Sequence, residues 1–261
     1  MAEEIISGLS DEVRSRKLKL VTIYDPENEA AKKYTEIKER KAKELNIDFE
    51  KFSITNFQFS INDQITKFNN DKNIDGVMIQ IPLTGDRDRD LRLCGLISPE
   101  KDVDGLNPES GVVPATVRAV LEILKVAGTP LVFPPKIGGK EKGGIVVVGN
   151  KGTVGSKLAE YLKCEGMDKE DFDPTSLKLR GASVVISCTG VPGLIKPKMV
   201  KDGVICIDVG FPKGDFDPSI ALRAAFFTPV PGGVGPVTVA MLFRNLVELA
   251  KMGGQESAPR F

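Results

Sequence analysis

The segment IVVVGNKGTVGSKLAEYL, residues 145–162, contains a run of β-branched residues, a glycine-rich turn and an amphipathic stretch. This order is typical of a buried parallel strand that turns directly into a helix. The glycines Gly149, Gly152 and Gly155 are spaced G-x-x-G-x-x-G, unlike the usual G-x-G-x-x-G of dinucleotide-binding turns. Glycines here let the backbone approach a pyrophosphate at the helix amino terminus, and a tight turn that binds nothing is the alternative.

Strand-like and helix-like segments alternate on both sides of this turn. Strands are predicted at residues 19–24, 49–54, 75–83, 144–149, 182–188, 203–211 and 225–230. Helices are predicted at residues 27–46, 61–70, 88–96, 116–127 and 237–251. Such alternation predicts an α/β fold, in which parallel sheets are covered by helices on both faces.

The chain is predicted to form two α/β domains. Residues 127–144 are rich in glycine, proline and lysine and resemble a linker or surface loop. We assign residues 1–115 and 237–261 to the first domain, because the closing helix is expected to return to it, and residues 116–236 to the second. The last ten residues, 252–261, are predicted to be a loose tail.

Composition excludes several classes of function. Lys plus Arg and Asp plus Glu number 36 each, so no net charge attracts nucleic acid or a membrane. The chain lacks a long apolar run and a signal-like amino terminus, so a cytoplasmic protein is expected. Its four scattered cysteines suggest neither a metal site nor disulfides. Because there is no histidine, acid–base chemistry near neutral pH must use Lys, Asp, Glu, Tyr or Cys with a shifted pKa.

Three short segments carry candidate site residues. Tyr34 and Lys38 lie at i and i+4 on one helix face, either as an aromatic beside a buried lysine or as part of a solvated helix. Gln80 in an apolar strand is either a satisfied core amide or a group that positions water or substrate. Asp104 in EKDVDG is either part of an acidic turn or a hydrogen-bond acceptor for a polar heterocycle.

The segment TPVPGGVGPVTVAML, residues 228–242, has three prolines and three glycines before an apolar helix begins. Proline stiffens the backbone, while glycine lets a ligand approach the main chain closely. A plain loop rarely needs both at this density, so a ligand is expected against it.

Together these motifs resemble the bifunctional methylenetetrahydrofolate dehydrogenase/methenyltetrahydrofolate cyclohydrolase family. YTEIK, DGVMIQIPL, PEKDVDGLNP, VVVGNKGTVG, GVICIDVGF and TPVPGGVGPVTVAML occur in the family's order, and similarity extends over residues 19–251. The resemblance implies a folate-binding catalytic domain, a Rossmann-type domain that binds NADP or NAD, a folate cleft between them and commonly a homodimer. It implies no resident metal.

The resemblance also implies roles for single residues. Lys38 matches the catalytic lysine of the cyclohydrolase step, with Gln80 beside it, Tyr34 against the folate and Asp104 on the pterin. The loop that lines the cleft matches Gly232, Gly233, Val234, Gly235 and Pro236. The cofactor side matches Gly149, Asn150, Lys151, Gly152, Thr153, Val154, Gly155, Thr189, Gly190 and Val230.

The implied chemistry needs no histidine. A hydride passes from the folate methylene carbon to the nicotinamide, and water then opens the resulting methenyl bridge to the 10-formyl form. A lysine near that cation is expected to have its pKa lowered by like charge and by burial, which makes it a proton carrier near neutrality.

Several positions depart from the family pattern. Asn150 and Lys151 replace the arginine and serine associated with the 2′-phosphate of NADP, and Lys151 offers only a point charge. Ala31 and Ala115 replace a common serine and cysteine, while the opening segment and the loop after KDVDG are short. No apolar strand is recognisable in residues 163–181, so the adenosine-side strand is expected to be missing or disguised.

These departures leave alternatives open. One is a cyclohydrolase with a weakened or lost dehydrogenase activity. Another is a non-catalytic protein that binds folate or nucleotide, although binding alone would not require Lys38. A third is a different Rossmann oxidoreductase, which the specific EKDVDG and PVPGGVGPVT motifs disfavour.

Overall fold

A computed structural model describes residues 1–14, 16–56, 60–129, 144–168, 170, 172–173 and 175–256. The chain divides into two compact units. The first unit contains residues 1–115 and 239–261, and the second contains residues 116–238. In the described part of the chain, no helix is long and apolar enough to cross a bilayer.

The first half of the chain alternates helices with three strands. In chain order the elements are α1 (Ala2–Arg14), β1 (Lys19–Tyr24), α2 (Glu29–Glu44), β2 (Asp48–Ser53), α3 (Ile61–Asn70), β3 (Gly76–Ile79) and α4 (Arg87–Cys94). The strands form a parallel sheet in the order β2-β1-β3. A short 3-10 turn, Ile54–Asn56, follows β2.

The core of the first unit follows from its sequence pattern. The apolar side chains of β1 and β3 are buried and pack with α3, where the rings of Phe52 and Phe68 meet edge to face at 5.3 Å. Asn28 is the N-cap of α2, and its side chain accepts a hydrogen bond from the main-chain N–H of Ala31. The buried side chains of α2 recur at helical spacing, and Lys38 is one of them.

The second half of the chain contains the other sheet. Its elements are α5 (Ala115–Val126), β4 (Ile145–Val148), α6 (Thr153–Leu162), β5 (Glu165–Met167), α7 (Leu177–Gly181), β6 (Val184–Ser187), β7 (Ile205–Asp208), β8 (Phe226–Phe227) and α8 (Val234–Glu256). Two 3-10 turns, Pro197–Met199 and Pro218–Leu222, lie on either side of β7 in the chain.

The five strands of this sheet are all parallel and lie in the order β5-β4-β6-β7-β8. This is the doubly wound order 2-1-3-4-5, whose direction of winding reverses between β4 and β6. Ligands of such sheets bind where the carboxyl ends of the two reversing strands meet. The glycine-rich turn after β4 therefore lies at that position.

Three elements, α1, β5 and the five-residue α7, were not predicted from the sequence. Helix α1 was not predicted in the acidic amino-terminal segment, although Ile6, Leu9 and Val13 recur at helical spacing and are buried. Strand β5 was expected to be missing or disguised, and it is present. Its sequence EGM has no apolar alternation, because it is an edge strand held by main-chain pairing with β4 rather than by buried side chains.

Several boundaries also differ from prediction. Helix α8 begins at Val234 rather than residue 237 and continues to Glu256, so residues 252–256 are helical and not part of a loose tail. Residues 257–261 of that tail and residues 130–143 of the predicted linker lie outside the described residues. Strands β3, β7 and β8 are shorter than predicted. Pro82, which lacks a main-chain N–H, lies inside the range predicted for β3.

Candidate active site

Lys38 lies on the buried face of α2 and is 6% exposed. Its Nζ donates a hydrogen bond of 2.6 Å to Oε1 of Gln80. Gln80 follows β3, where its main-chain N–H donates to the carbonyl of Ile23 in β1 at 2.8 Å. Its own amide nitrogen donates to the carbonyl of Ile81 at 3.0 Å, so the side-chain oxygen is directed at the lysine. The site thus rests on two neighbouring strands and one helix.

Burial makes Lys38 a group that titrates near pH 8. Burial lowers the pKa of Lys38 to about 8, and the nearby Asp104 carboxylate partly opposes this shift. Burial raises the pKa of Asp104, with the lysine opposing it. Tyr34 lies one helical turn away, its ring centroid 6.0 Å from Nζ, and burial raises its pKa. The structure therefore brings Lys38 together with Gln80, Asp104 and Tyr34, four of the residues predicted for the folate side.

The turn that carries Asp104 is held by groups other than the Asp104 side chain. The carboxylate of Asp102 accepts hydrogen bonds from the main-chain N–H groups of Gly105 and Asn107, at 3.1 and 2.7 Å. Burial raises the pKa of Asp102 to about 6, although these hydrogen bonds lower it. Gly105 has φ +69°, and a Cβ there would lie 2.8 Å from Cα of Pro114. Asp102 and Gly105 thus shape the turn.

Asn245 is a site residue that sequence analysis missed. This buried side chain of α8 donates hydrogen bonds to the carbonyls of Val103 and Val113, both at 3.0 Å. It therefore ties the two ends of the Asp104 turn to the closing helix. A polar residue inside the apolar run AMLFRNLVELA was the available signal.

The glycine-rich turn after β4 is closely packed. A Cβ on Gly155 would lie 2.2 Å from the carbonyl oxygen of Gly149, and one on Gly149 would lie 2.8 Å from the carbonyl oxygen of Cys188. The turn thus contacts the loop after β6. Gly152 is the N-cap of α6 and offers no side chain to the first helical turn, which contains Thr153 and Val154. Its N–H groups and positive dipole end suit a pyrophosphate.

Thr189 and Gly190, two predicted cofactor residues, form the loop after β6. Their conformation depends on Asp215, a buried carboxylate that sequence analysis missed. Its Oδ2 accepts hydrogen bonds from Ser187 Oγ, from the main chain and hydroxyl of Thr189, and from the N–H of Gly190, at 2.7, 2.7, 2.8 and 3.3 Å. The carboxylate therefore fixes the loop beside the glycine-rich turn.

Asp208, at the end of β7, holds the segment that carries Asp215. Its carboxylate accepts hydrogen bonds from the N–H groups of Gly210, Asp215 and Phe216, at 2.9, 3.0 and 3.1 Å. Its own N–H donates to the hydroxyl of Thr228 at 2.7 Å. Burial raises its pKa. The IDVG motif thus contributes a scaffold carboxylate rather than a group for chemistry.

The second motif rich in proline and glycine, residues 228–236, connects β8 to α8 in the second unit. A Cβ on Gly233 would lie 2.5 Å from the carbonyl oxygen of Pro229, and Gly232 has φ +105°. Gly232 and Gly233 therefore allow this close turn, in which Val230 precedes them. Val234, Gly235 and Pro236 form the first turn of α8.

Asn150 and Lys151 do not point freely toward a ligand. A Cβ on Gly166 of β5 would lie 2.1 Å from Nδ2 of Asn150, so the asparagine packs against that strand. The Nζ of Lys151 lies 3.3 Å from Oδ2 of Asp168. The lysine expected to meet a 2′-phosphate is thus paired with a carboxylate.

The four cysteines do not form disulfides. Burial raises the pKa of Cys164 to about 11 and that of Cys206 to about 12, and it raises the pKa of Cys94 and Cys188 as well. These thiols are protonated at neutral pH and are not activated nucleophiles.

Fold and site define a two-unit α/β protein that combines a buried lysine centre with a dinucleotide-binding type of turn. The family model described as tetrahydrofolate dehydrogenase/cyclohydrolase, catalytic domain, matches residues 1–104. The model described as its NAD(P)-binding domain matches residues 114–253. The chain belongs to the tetrahydrofolate dehydrogenase/cyclohydrolase family, which confirms the resemblance inferred from the motifs.

Curated relatives and solved structures agree. The mitochondrial bifunctional methylenetetrahydrofolate dehydrogenase/cyclohydrolase of Gallus gallus is 32% identical over 265 residues, covering 86% of this chain and 75% of the relative. The crystal structure of the bifunctional enzyme FolD from Campylobacter jejuni aligns with a TM-score of 0.83 and 28% identity, covering 97% and 96% of the two chains. The structure of the Trypanosoma brucei enzyme, solved with NADP and an inhibitor, aligns with a TM-score of 0.81 and 26% identity. The alignment covers 97% of this chain and 96% of that one. These similarities confirm the predicted α/β fold.

Proposed function

We propose that this chain oxidises 5,10-methylenetetrahydrofolate to the 5,10-methenyl form with NAD or NADP, and hydrolyses the latter to 10-formyltetrahydrofolate in one-carbon metabolism. Membership of the family supports both activities. The observation that carries the proposal is the state of Lys38. This lysine is buried beside Gln80 and Asp104, and its pKa is lowered to about 8. A solvated helix lysine would have neither this burial nor this pKa.

Hydrolysis of a methenyl bridge requires a proton carrier. Water adds to the cationic carbon and loses a proton, and the resulting carbinolamine then opens by breaking one carbon–nitrogen bond. During opening the carbinol proton is lost and the departing ring nitrogen gains one, so one proton is released overall. Near pH 8 Lys38 is present both as the amine that accepts a proton and as the ammonium that donates one.

The neighbours of Lys38 hold it and the folate in place. Gln80 fixes the position of Nζ through its side-chain oxygen. Asp104 is assigned to the pterin ring, because its turn is already held by Asp102 and Asn245 and its own carboxylate is left for the site. Tyr34 provides a flat, half-buried surface against which the folate can pack.

The second unit is assigned to the dinucleotide. When bound, NAD or NADP supplies the hydride acceptor for the methylene carbon, so the oxidation needs no protein base. The first turn of α6, from Gly152 to Gly155, would hold the pyrophosphate through its main-chain N–H groups. Thr189 and Gly190, fixed by Asp215, lie in the loop that packs against this turn.

The alternatives lose support to different extents. A cyclohydrolase without dehydrogenase activity was suggested by the unrecognised adenosine-side strand, and β5 is present. A non-catalytic binding protein would retain Lys38 at a cost in stability, because burying an ammonium is unfavourable. The homodimer and the cytoplasmic location stay predictions; light scattering on the purified chain would test the first.

The decisive experiment follows both reactions on the purified chain by absorbance. Methylenetetrahydrofolate is supplied separately with NAD and with NADP, and methenyltetrahydrofolate is supplied alone. We expect reduced nicotinamide and methenyl formation in the first assay and methenyl loss in the second. Hydrolysis without oxidation would favour the cyclohydrolase alternative, and neither activity would favour a binding protein.

A further inference from the structure

We propose that this chain uses NAD in preference to NADP, and that Asp168 is the residue that determines this specificity. The inference rests on the proposed function only in assuming that the second unit binds a dinucleotide. It concerns the adenosine ribose, where the two cofactors differ by a single phosphate on the 2′-oxygen.

The position of Asp168 in the sheet is the first argument. Asp168 directly follows β5, and Met167 before it accepts a hydrogen bond of 2.7 Å from the N–H of Gly149. The carboxylate therefore lies at the carboxyl end of the strand next to the glycine-rich turn, about 20 residues after its first glycine. In Rossmann-type units an acidic residue at this position accepts a hydrogen bond from the ribose 2′-hydroxyl of NAD.

Charge is the second argument. Asp168 is 5% exposed, so its carboxylate is poorly screened and would repel the phosphate of NADP. Lys151, the cation placed to meet such a phosphate, lies 3.3 Å from Asp168 and 3.8 Å from Glu170. Among these described side chains, two carboxylates lie near one ammonium. The excess negative charge disfavours binding of the 2′-phosphate of NADP.

The third argument concerns hydrogen bonding. Asn150 follows the first glycine of the turn and is uncharged, and it packs against Gly166 of β5. Its Oδ1 is buried and accepts no hydrogen bond within the described part of the chain. This oxygen is closed to solvent, and Asn150 supplies none of the fixed positive charge that would hold a phosphate. A ribose hydroxyl can donate to the Asp168 carboxylate, whereas a phosphate dianion offers only acceptors, so Asp168 suits a ribose with a free 2′-hydroxyl.

Binding measured by calorimetry tests the proposal without requiring turnover. NAD and NADP are titrated separately into the full-length chain and into Asp168→Ser and Asp168→Asn variants. We expect the unaltered chain to bind NAD at least about tenfold more tightly than NADP. The Asp168 carboxylate would accept a hydrogen bond from the 2′-hydroxyl of NAD, whereas it would repel the 2′-phosphate of NADP. Asp168→Ser should lose most of this preference, because NAD binding weakens and NADP binding strengthens.

Matched variants show whether the cofactor preference depends on the position of Asp168 or only on negative charge near Lys151. Glu170→Gln removes an exposed carboxylate from the same lysine and should change the ratio of the two affinities by less than about twofold. Adding Lys151→Met to Asp168→Ser should remove the gain in NADP binding, since that gain depends on the ammonium.

Three outcomes would overturn the proposal: tighter binding of NADP by the unaltered chain, an unchanged ratio in Asp168→Ser and Asp168→Asn, or no binding of either nucleotide. The same preparations are assayed for hydrolysis of methenyltetrahydrofolate, which needs no nucleotide. If hydrolysis is intact alongside any of these outcomes, only the proposed NAD preference is wrong. If hydrolysis is absent as well, the result counts against the proposed function.

Discussion

The buried charged groups of the two units differ in how many hydrogen bonds they make. In the first unit Lys38 is nearly inaccessible to solvent, and in the described part of the chain its ammonium donates to one group, Gln80. In the second unit one oxygen of Asp215 accepts from four donors, and Asp208 accepts from three main-chain N–H groups.

This difference separates chemistry from scaffold. A carboxylate oxygen that accepts several hydrogen bonds is fixed in position, and it holds the loops that donate to it. Burial lowers the pKa of Lys38 to about 8 against the opposing effect of the Asp104 carboxylate, so this lysine can exchange a proton. The contrast predicts that removing Lys38 affects rate more than stability, and that removing Asp215 does the reverse.

The largest effect is expected from Lys38→Met. Hydrolysis of methenyltetrahydrofolate should fall by about 1,000-fold, because a general acid–base group is lost. Lys38→Arg should be comparably inactive, since arginine keeps the charge but cannot release the proton. The initial hydrolysis rate at saturating substrate measures both variants.

Lys33→Met is the matched control, because Lys33 is an exposed lysine of the same helix. It should retain full activity. Substantial hydrolysis by Lys38→Arg would mean that the position requires a positive charge rather than a proton carrier.

The next effect is expected from Asp215→Ala. Loss of the carboxylate leaves the donors of Ser187, Thr189 and Gly190 without their acceptor, so we expect a loss of about 2–4 kcal/mol in the free energy of unfolding. Nucleotide binding should weaken by about tenfold or more through the displaced loop. Urea unfolding and calorimetry measure the two effects.

Asp202→Ala provides the comparison, since Asp202 is an exposed carboxylate paired with Arg223 in the same unit. Its loss should cost less than about 1 kcal/mol. Equal effects from the two variants would remove the distinction between scaffold and surface carboxylates.

Pattern and motif predicted much of the fold. The strand, turn and helix around residues 145–162 were visible because β-branched runs and helical spacing are local signals. Strand β5 was not recognised, because it is held by main-chain pairing with β4 and the side chains of EGM show no strand-like alternation. The same limit applied to α1, where acidic residues masked a regular apolar spacing.

The site was predictable where family motifs mark it and hidden where distant residues complete it. Lys38 and Asp104 lie in recognisable segments, but the lowered pKa of Lys38 depends on burial that only the folded chain provides. Asp215 acts on Thr189, and Asn245 acts on Val103, across long stretches of sequence. No local pattern distinguishes such residues from other polar side chains.

The same Lys38→Met variant should gain stability in a way that depends on pH. The pKa of Lys38 is about 8 in the folded chain and 10.5 in its ordinary state. Below pH 8 both states are protonated, and folding carries the full cost of burying the ammonium. Between these values the unfolded state binds more protons, so the stability of the unaltered chain rises with pH.

We therefore expect Lys38→Met to be more stable by about 1–3 kcal/mol at neutral pH, with the advantage disappearing as the pH approaches 10.5. The gain falls short of the full shift, because Asp104 loses its counter-charge. Urea unfolding at several pH values measures it, and Lys33→Met should show no such trend. A variant destabilised at every pH would mean that packing by the lysine outweighs the cost of its charge.

The smallest effect is expected from Asp104→Asn on the pH dependence of hydrolysis. The Asp104 carboxylate raises the pKa of Lys38 against the effect of burial, so its removal should lower that pKa further, by about 0.5–1 unit. The inflection in kcat/KM for methenyltetrahydrofolate, corrected for uncatalysed hydrolysis, should move to lower pH by the same amount, whichever form of the lysine is active. Glu36→Gln on the exposed face of α2 should leave it in place. An inflection that stays fixed in Asp104→Asn would mean that the two charges are not coupled, and Gln80 would then be the remaining described partner that orients the lysine.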